Sequence, residues 1–112
     1  MTAPLYLEVK AALELEILSG RIPPGQKLPP IRILADRHRV NGNTVQRALA
    51  GLRENGLVTG SRGEALRVLA DTEQIIRRRQ EKASAIVQDC IRQLKHLGYT
   101  GEEIKTLIFA SI

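Results

Sequence analysis

The run Asn41-Gly42-Asn43-Thr44-Val45-Gln46-Arg47-Ala48-Leu49-Ala50-Gly51-Leu52-Arg53-Glu54-Asn55-Gly56 carries two patterns at once. Val45, Ala48, Leu49 and Leu52 recur at the three- and four-residue steps of one helix face. Asn41 is a good N-cap type, because its side chain accepts from an early backbone N–H, and Gly56 stops the run. The spacing therefore predicts a helix over Asn41–Asn55. Gln46, Arg47, Ala50 and Arg53 fall off the aliphatic stripe, with Asn43 and Thr44 near the N-terminus. One side of this helix must be covered by other segments, and the other side is polar.

The segments that could cover it lie upstream. Leu5, Val9, Ala12, Leu13, Ile17 and Leu18 predict a first helix from Leu5 to Ser19, with Pro4 at its start and Gly20 as its stop. Pro23, Pro24, Gly25, Pro29 and Pro30 exclude a helix over Arg21–Pro30, where Lys27-Leu28 can form a very short strand. A short second helix is expected over Pro30–His38, with Leu34 and Ala35 inward and Val40 packed in the turn that follows. Downstream, Leu57–Gly60 and Ala65–Leu69 read as two strands around the polar turn Ser61-Arg62-Gly63-Glu64, with Leu57, Leu66 and Val68 inward.

From Asp71 the pattern changes. Thr72–Leu97 reads as one long helix in which Ala83, Val87, Cys90, Leu94 and Leu97 form an a/d seam, widened by Ile86 and Ile91. Its early part, Arg77 to Lys82, is polar and expected to be solvated. Gly98 ends it. Thr100 and Glu103 then fit a capping box, with Tyr99 and Ile104 at the positions of a hydrophobic staple. A last helix from Gly101 to about Ala110 carries Ile104, Leu107 and Ile108. The expected fold is mainly α with a small β-hairpin wing: a winged helix-turn-helix over residues 1–70, then a two-helix dimerisation tail over residues 71–112.

Composition narrows the function. The 112 residues are 43% hydrophobic and 26% charged but only 3% aromatic, so the core is aliphatic. Aromatic platforms for stacking unpaired bases are lacking, which argues against single-strand and RNA binders. The net charge is +5. Residues 1–70 hold ten Lys and Arg against six Asp and Glu, and residues 71–112 hold seven against six, so the basic excess sits with the three short helices. Cys90, the one cysteine, excludes an internal disulfide and is expected to pack on the apolar seam. No stretch approaches the ~18 apolar residues of a membrane span, and the start is not that of a signal peptide. A cytoplasmic protein with no membrane contact is expected. His38 and His96 lack partners at metal-ligand spacing. No catalytic constellation stands out, so neither enzyme activity, nor a cofactor, nor a metal is expected.

Three helices closed by a hairpin suit duplex DNA. A helix about 10–12 Å across fits the major groove, roughly 12 Å wide. Asn43, Thr44, Gln46 and Arg47 are suitable types for its exposed side: Asn and Gln pair with adenine edges, Arg with guanine or phosphate, Thr with phosphate or a thymine methyl. Arg47 is equally suited to an ion pair.

The residues resemble a known family more closely still. Pro4-Leu5-Tyr6-Leu7-Glu8-Val9-Lys10, Ser19 to Pro29, Ile31-Arg32-Ile33-Leu34-Ala35, Asn43 to Leu49 and Leu52 to Val58 together resemble the GntR family of bacterial regulators, nearly continuously from residue 4 to 69. The long helix, the Leu97-Gly98-Tyr99-Thr100 turn and the final helix resemble the short dimerisation tail of its YtrA-like subfamily. The resemblance implies DNA contacts by Arg32 on the second helix, by Thr44 and Gln46 on the third, and by Arg62 and Gly63 at the wing tip. It also implies a homodimer on an inverted-repeat operator, acting as a repressor, with the seam residues and Ile104 and Ile108 between the copies. Such a tail leaves little room for a deep pocket, which places any small-molecule effector at the dimer interface. Three positions depart from the family pattern. Pro30 stands where Ser often caps the second helix. Gly42 stands where relatives carry Arg or Pro. Glu64-Ala65 in the wing replaces a Lys-Gly pair and sets a carboxylate where phosphate is expected.

Two other readings compete. A winged helix can serve as a protein-interaction module without touching DNA, which the polar row on the third helix argues against. The chain could also be a piece of a longer enzyme, against which the Met1 start and the capped tail create the expectation of a complete protein.

Overall fold

The computed structural model describes residues 4–61 and 64–112. Arg62 and Gly63, the wing-tip residues expected to meet DNA, lie outside the described residues. The elements run α1 (Leu5–Leu18), α2 (Ile31–His38), α3 (Gly42–Glu54), β1 (Val58–Thr59), β2 (Arg67–Val68), α4 (Thr72–His96) and α5 (Gly101–Ser111). The fold is mainly helical with one small antiparallel hairpin, as expected. The chain divides into two compact units, Met1–Arg78 and Arg79–Ile112.

In the first unit α3 is the common partner, packing on both α1 and α2. All four stripe residues of α3 are buried, and Val45, Ala48 and Leu52 join Leu13, Ile17 and Leu34 at 0% exposure. Val40, Ala35 and Ile31 close the edge of this cluster, and Ile75 from the first turn of α4 enters it. α2 leaves through Arg39, which adopts a left-handed conformation at φ 57. This tight exit lets α3 start after only Val40 and Asn41.

Leu5 departs from expectation: it is 59% exposed. At about 100° per residue, Tyr6 falls within the arc of Val9, Leu13 and Ile17, whereas Leu5 falls beyond its rim. The first inward residue of α1 is therefore the tyrosine.

The hairpin is shorter than the expected runs of four and five residues. Among the described residues the β1–β2 register is Val58↔Val68 and Thr59↔Arg67. β2 is also shared. On one side it faces β1, and on the other it faces the proline-rich segment: Lys27 bridges to Arg67, and Val68 N–H donates to the Gln26 carbonyl at 2.9 Å. Leu28 N–H likewise donates to the Leu66 carbonyl at 2.8 Å. Leu57, Val58 and Val68 are buried, while Leu66 packs on the core only partly buried. Gly60 makes the return possible. Its φ is +139, and a Cβ there would sit 2.9 Å from Leu66 Cδ2 and 3.2 Å from the Ala65 carbonyl oxygen.

The second unit holds most of α4, and α5. The capping box forms as expected: Glu103 N–H donates to Thr100 Oγ1 at 3.2 Å, and Thr100 N–H donates to Glu103 Oε1 at 2.9 Å. Ile104 is buried. α5 makes sparse contact with α4, so most of the seam stays open. Ala83, Val87, Cys90 and Leu97 are exposed, and Ile91 and Leu94 are half-buried. Cys90 was expected to be packed. It is exposed, because among the described residues no element covers that side of α4.

Candidate nucleic-acid interface

The site is built on the outer side of α3. Asn41 Oδ1 accepts from Thr44 N–H at 2.9 Å and from the Thr44 hydroxyl at 3.1 Å, which fixes the entry angle of the helix. Burial of Val45, Ala48 and Leu49 on one side then forces the residues between them outward. Asn43, Gln46, Arg47, Ala50 and Arg53 are exposed. Thr44 is half-buried, and its single O–H is already spent on Asn41. A phosphate only accepts, so Thr44 must release Asn41 before it can donate to one. Arg32 projects from α2 and is exposed.

Arg47 forms a ring contact: its guanidinium carbon lies 4.0 Å from the centroid of the Tyr6 ring on α1. A turn further along, α1 lays Lys10 over Gly51, so close that a Cβ there would meet Lys10 Cδ at 3.1 Å.

On the opposite flank of α3 a cleft of about 600 Å³ opens toward the wing, lined by Ile31, Gln46, Ala50, Arg53, Ser61 and Glu64 among others. Gln46, Ala50 and Arg53 stand four and three residues apart and so share a face. Glu64, exposed, sets a negative charge in this otherwise neutral-to-basic cleft.

The structure thus groups Asn43, Gln46 and Arg47 on one surface and sets Glu64 beside Gln46 in the cleft. Sequence reasoning missed Arg53 and Ser61 as cleft residues. The seven-residue step from Gln46 to Arg53 was the available signal. It also missed Tyr6, for which no local signal exists, because its partner is 41 positions away in the chain. His38 is half-buried at the end of α2 and His96 exposed at the end of α4. Among the described residues no group of three His, Cys, Asp or Glu is placed to hold a metal ion, and no helix is long and apolar enough to cross a membrane.

The seam residues and Ile104 and Ile108 fall within the second unit. There an apolar groove of about 530 Å³ is lined by Ile91, Ile104, Ile108, Phe109 and Ile112, with Lys95 and Lys105 beside it. Phe109 is 87% exposed.

The family model described as "Bacterial regulatory proteins, gntR family" matches residues 5–68. The chain is 28% identical over 101 residues to the uncharacterized HTH-type transcriptional regulator YhcF of Bacillus subtilis (strain 168), covering 90% of this chain and 84% of that protein. Two further relatives are much longer, and the chain spans 15% of the length of each. Among solved structures, a GntR family transcriptional regulator from Listeria monocytogenes superposes with a TM-score of 0.90 at 28% identity, over 97% of this chain and 96% of that one. AraR(DBD) in complex with operator ORR3 superposes with a TM-score of 0.57 at 29% identity, over 61% of this chain and 82% of that one.

Proposed function

This chain belongs to the gntR family of bacterial regulatory proteins and is a transcriptional regulator with a winged-helix DNA-binding domain, and we propose that it acts as a homodimer, repressing by occupying an inverted-repeat operator. The observation that carries the reading is the division of α3. Val45, Ala48, Leu49 and Leu52 are locked into the core while Asn43, Gln46 and Arg47 stand exposed on a helix of groove-fitting width. In this reading residues 1–70 are the DNA-binding domain, with Arg32, Asn43, Thr44, Gln46 and Arg47 touching DNA and Arg62 and Gly63 at the wing tip. That AraR(DBD), of similar fold, is solved in complex with an operator supports DNA as the partner.

Residues 71–112 form the dimerisation domain in this reading, the short tail of a YtrA-like regulator. Support comes from the uncovered apolar side chains of α4 and α5, among them Val87, Leu97 and Phe109. Burying each large apolar side chain is worth about 1.5–3 kcal/mol, and a second copy presents the same side chains in return. Twofold pairing repeats α3 at two half-sites about one helical turn apart. A small-molecule effector that binds between the copies would shift the spacing of the two heads.

Selection of bound duplexes from a random pool tests the proposal. The enriched sequence is expected to be an inverted repeat, occupied by two chains, with affinity that falls steeply as salt rises. Enrichment of no sequence, or occupation of the site by a single chain, would overturn it.

A further inference from the structure

The DNA-binding reading leaves the stack of Arg47 on Tyr6 without a role, and the inference drawn from it rests on that reading. We propose that Tyr6 is a positioning residue: its ring holds the Arg47 guanidinium on the α1 flank of α3, where it meets a DNA phosphate and not a base edge. Three observations lead there. Arg47 follows Gln46 by about 100° around the helix, away from the cleft side and toward α1. A helix seated in a groove has backbone phosphates along its flanks and base edges beneath its floor-facing side. The guanidinium carbon sits 4.0 Å from the ring centroid, a contact through the ring face that leaves the N–H donors turned away from the ring available.

A freely rotating arginine would have to be ordered at the moment of binding, whereas one already laid on a ring is ordered before DNA arrives. The neighbouring geometry agrees. Lys10, one turn after Tyr6 on α1, lies over Gly51, one turn after Arg47 on α3. The α1–α3 seam is thereby edged by two cations on the same flank, a suitable border for one phosphate strand. Tyr6 is only half-buried, so its ring does not serve mainly to fill the core.

The test uses the full chain and a duplex enriched by the wild-type protein, with affinity read by fluorescence anisotropy over a range of salt. Arg47→Ala is expected to flatten the plot of log affinity against log salt by about 0.9 per chain, one phosphate contact. Tyr6→Phe keeps the ring and is expected to bind as the wild type. Tyr6→Leu is expected to weaken binding about two- to fivefold for each α3 engaged, and to cost nothing further when Arg47 is already alanine. A loss of equal size with and without Arg47 would instead mark Tyr6 as merely structural, and overturns the proposal. So does a Tyr6→Phe variant as weak as Tyr6→Leu, or an Arg47→Ala slope equal to the wild-type slope. Each of these leaves operator binding by the wild type intact. Salt-insensitive or absent binding by the wild type overturns the functional reading and this proposal with it.

Discussion

Val45 and Gln46 are neighbours in the chain with opposite tasks, and replacing each by alanine separates folding from recognition. Val45 is 0% exposed at the centre of the α1–α2–α3 core. Val45→Ala removes two methyl groups at about 0.8 kcal/mol each, with a further cavity term, so a loss of about 2 kcal/mol in unfolding free energy is expected. Gln46 is exposed and lines the cleft toward the wing. Gln46→Ala should leave stability within about 0.5 kcal/mol, because alanine is at least as good a helix former. If Gln46 reads a base edge, the same change weakens operator affinity by about 1–3 kcal/mol, roughly five- to 150-fold. Urea unfolding followed by circular dichroism measures the first quantity. Fluorescence anisotropy with the enriched duplex, at a protein concentration where both variants are folded, measures the second. Once its folded fraction is accounted for, Val45→Ala should bind with near wild-type affinity. The reasoning is refuted if Gln46→Ala lowers stability by as much as Val45→Ala, or if it binds the enriched duplex as tightly as the wild type. Either result would mean that the two sides of α3 are not divided in the way their burial implies.

Glu64 places a carboxylate in the cleft beside Gln46; Glu64→Gln is expected to tighten DNA binding by up to about fivefold at low salt, with the gain shrinking as salt screens the repulsion. Weaker binding by this variant would show instead that the carboxylate accepts from a base. Val87→Glu combined with Leu97→Glu sets charges on the open seam of α4. Sedimentation of the variant at micromolar concentration should report monomers, and an unchanged dimer would exclude this face as the interface. The Glu103 carboxyl titrates below the usual glutamate range, because the Thr100 backbone N–H and then its hydroxyl hydrogen-bond to it. Its contribution to α5 is therefore complete above the ordinary glutamate range and disappears as the pH falls through the lowered value. Thermal midpoints of wild type and Glu103→Ala should differ at neutral pH and converge in acid; a gap that widens toward acid would reverse the assigned sign.

Much of the fold was legible because its helices carry strong local marks. The stripe Val45, Ala48, Leu49 and Leu52, the Asn41 cap and the Thr100–Glu103 box are all statements about residues three or four apart, and such spacings are set by helix geometry alone. The hairpin was harder to bound. Its strand β2 divides its hydrogen bonds between β1 and the Gly25–Leu28 segment, and no periodicity in either run announces a second neighbour. Leu5 was misplaced although the spacing carried the signal: it falls beyond the arc of Val9, Leu13 and Ile17, which Tyr6 shares.

The candidate site shows the same boundary. From its residues alone the chain specified which side chains α3 would turn away from the core, since an aliphatic stripe fixes its own complement on a helix. It could not specify that Arg47 would rest on Tyr6, that Gln46 would share a cleft with Ser61 and Glu64, or that most of the a/d seam of α4 would be left uncovered by α5. Those facts arise between different elements, where crossing angle and closest approach are settled by the packing of whole helices and not by the order of residues within any one of them.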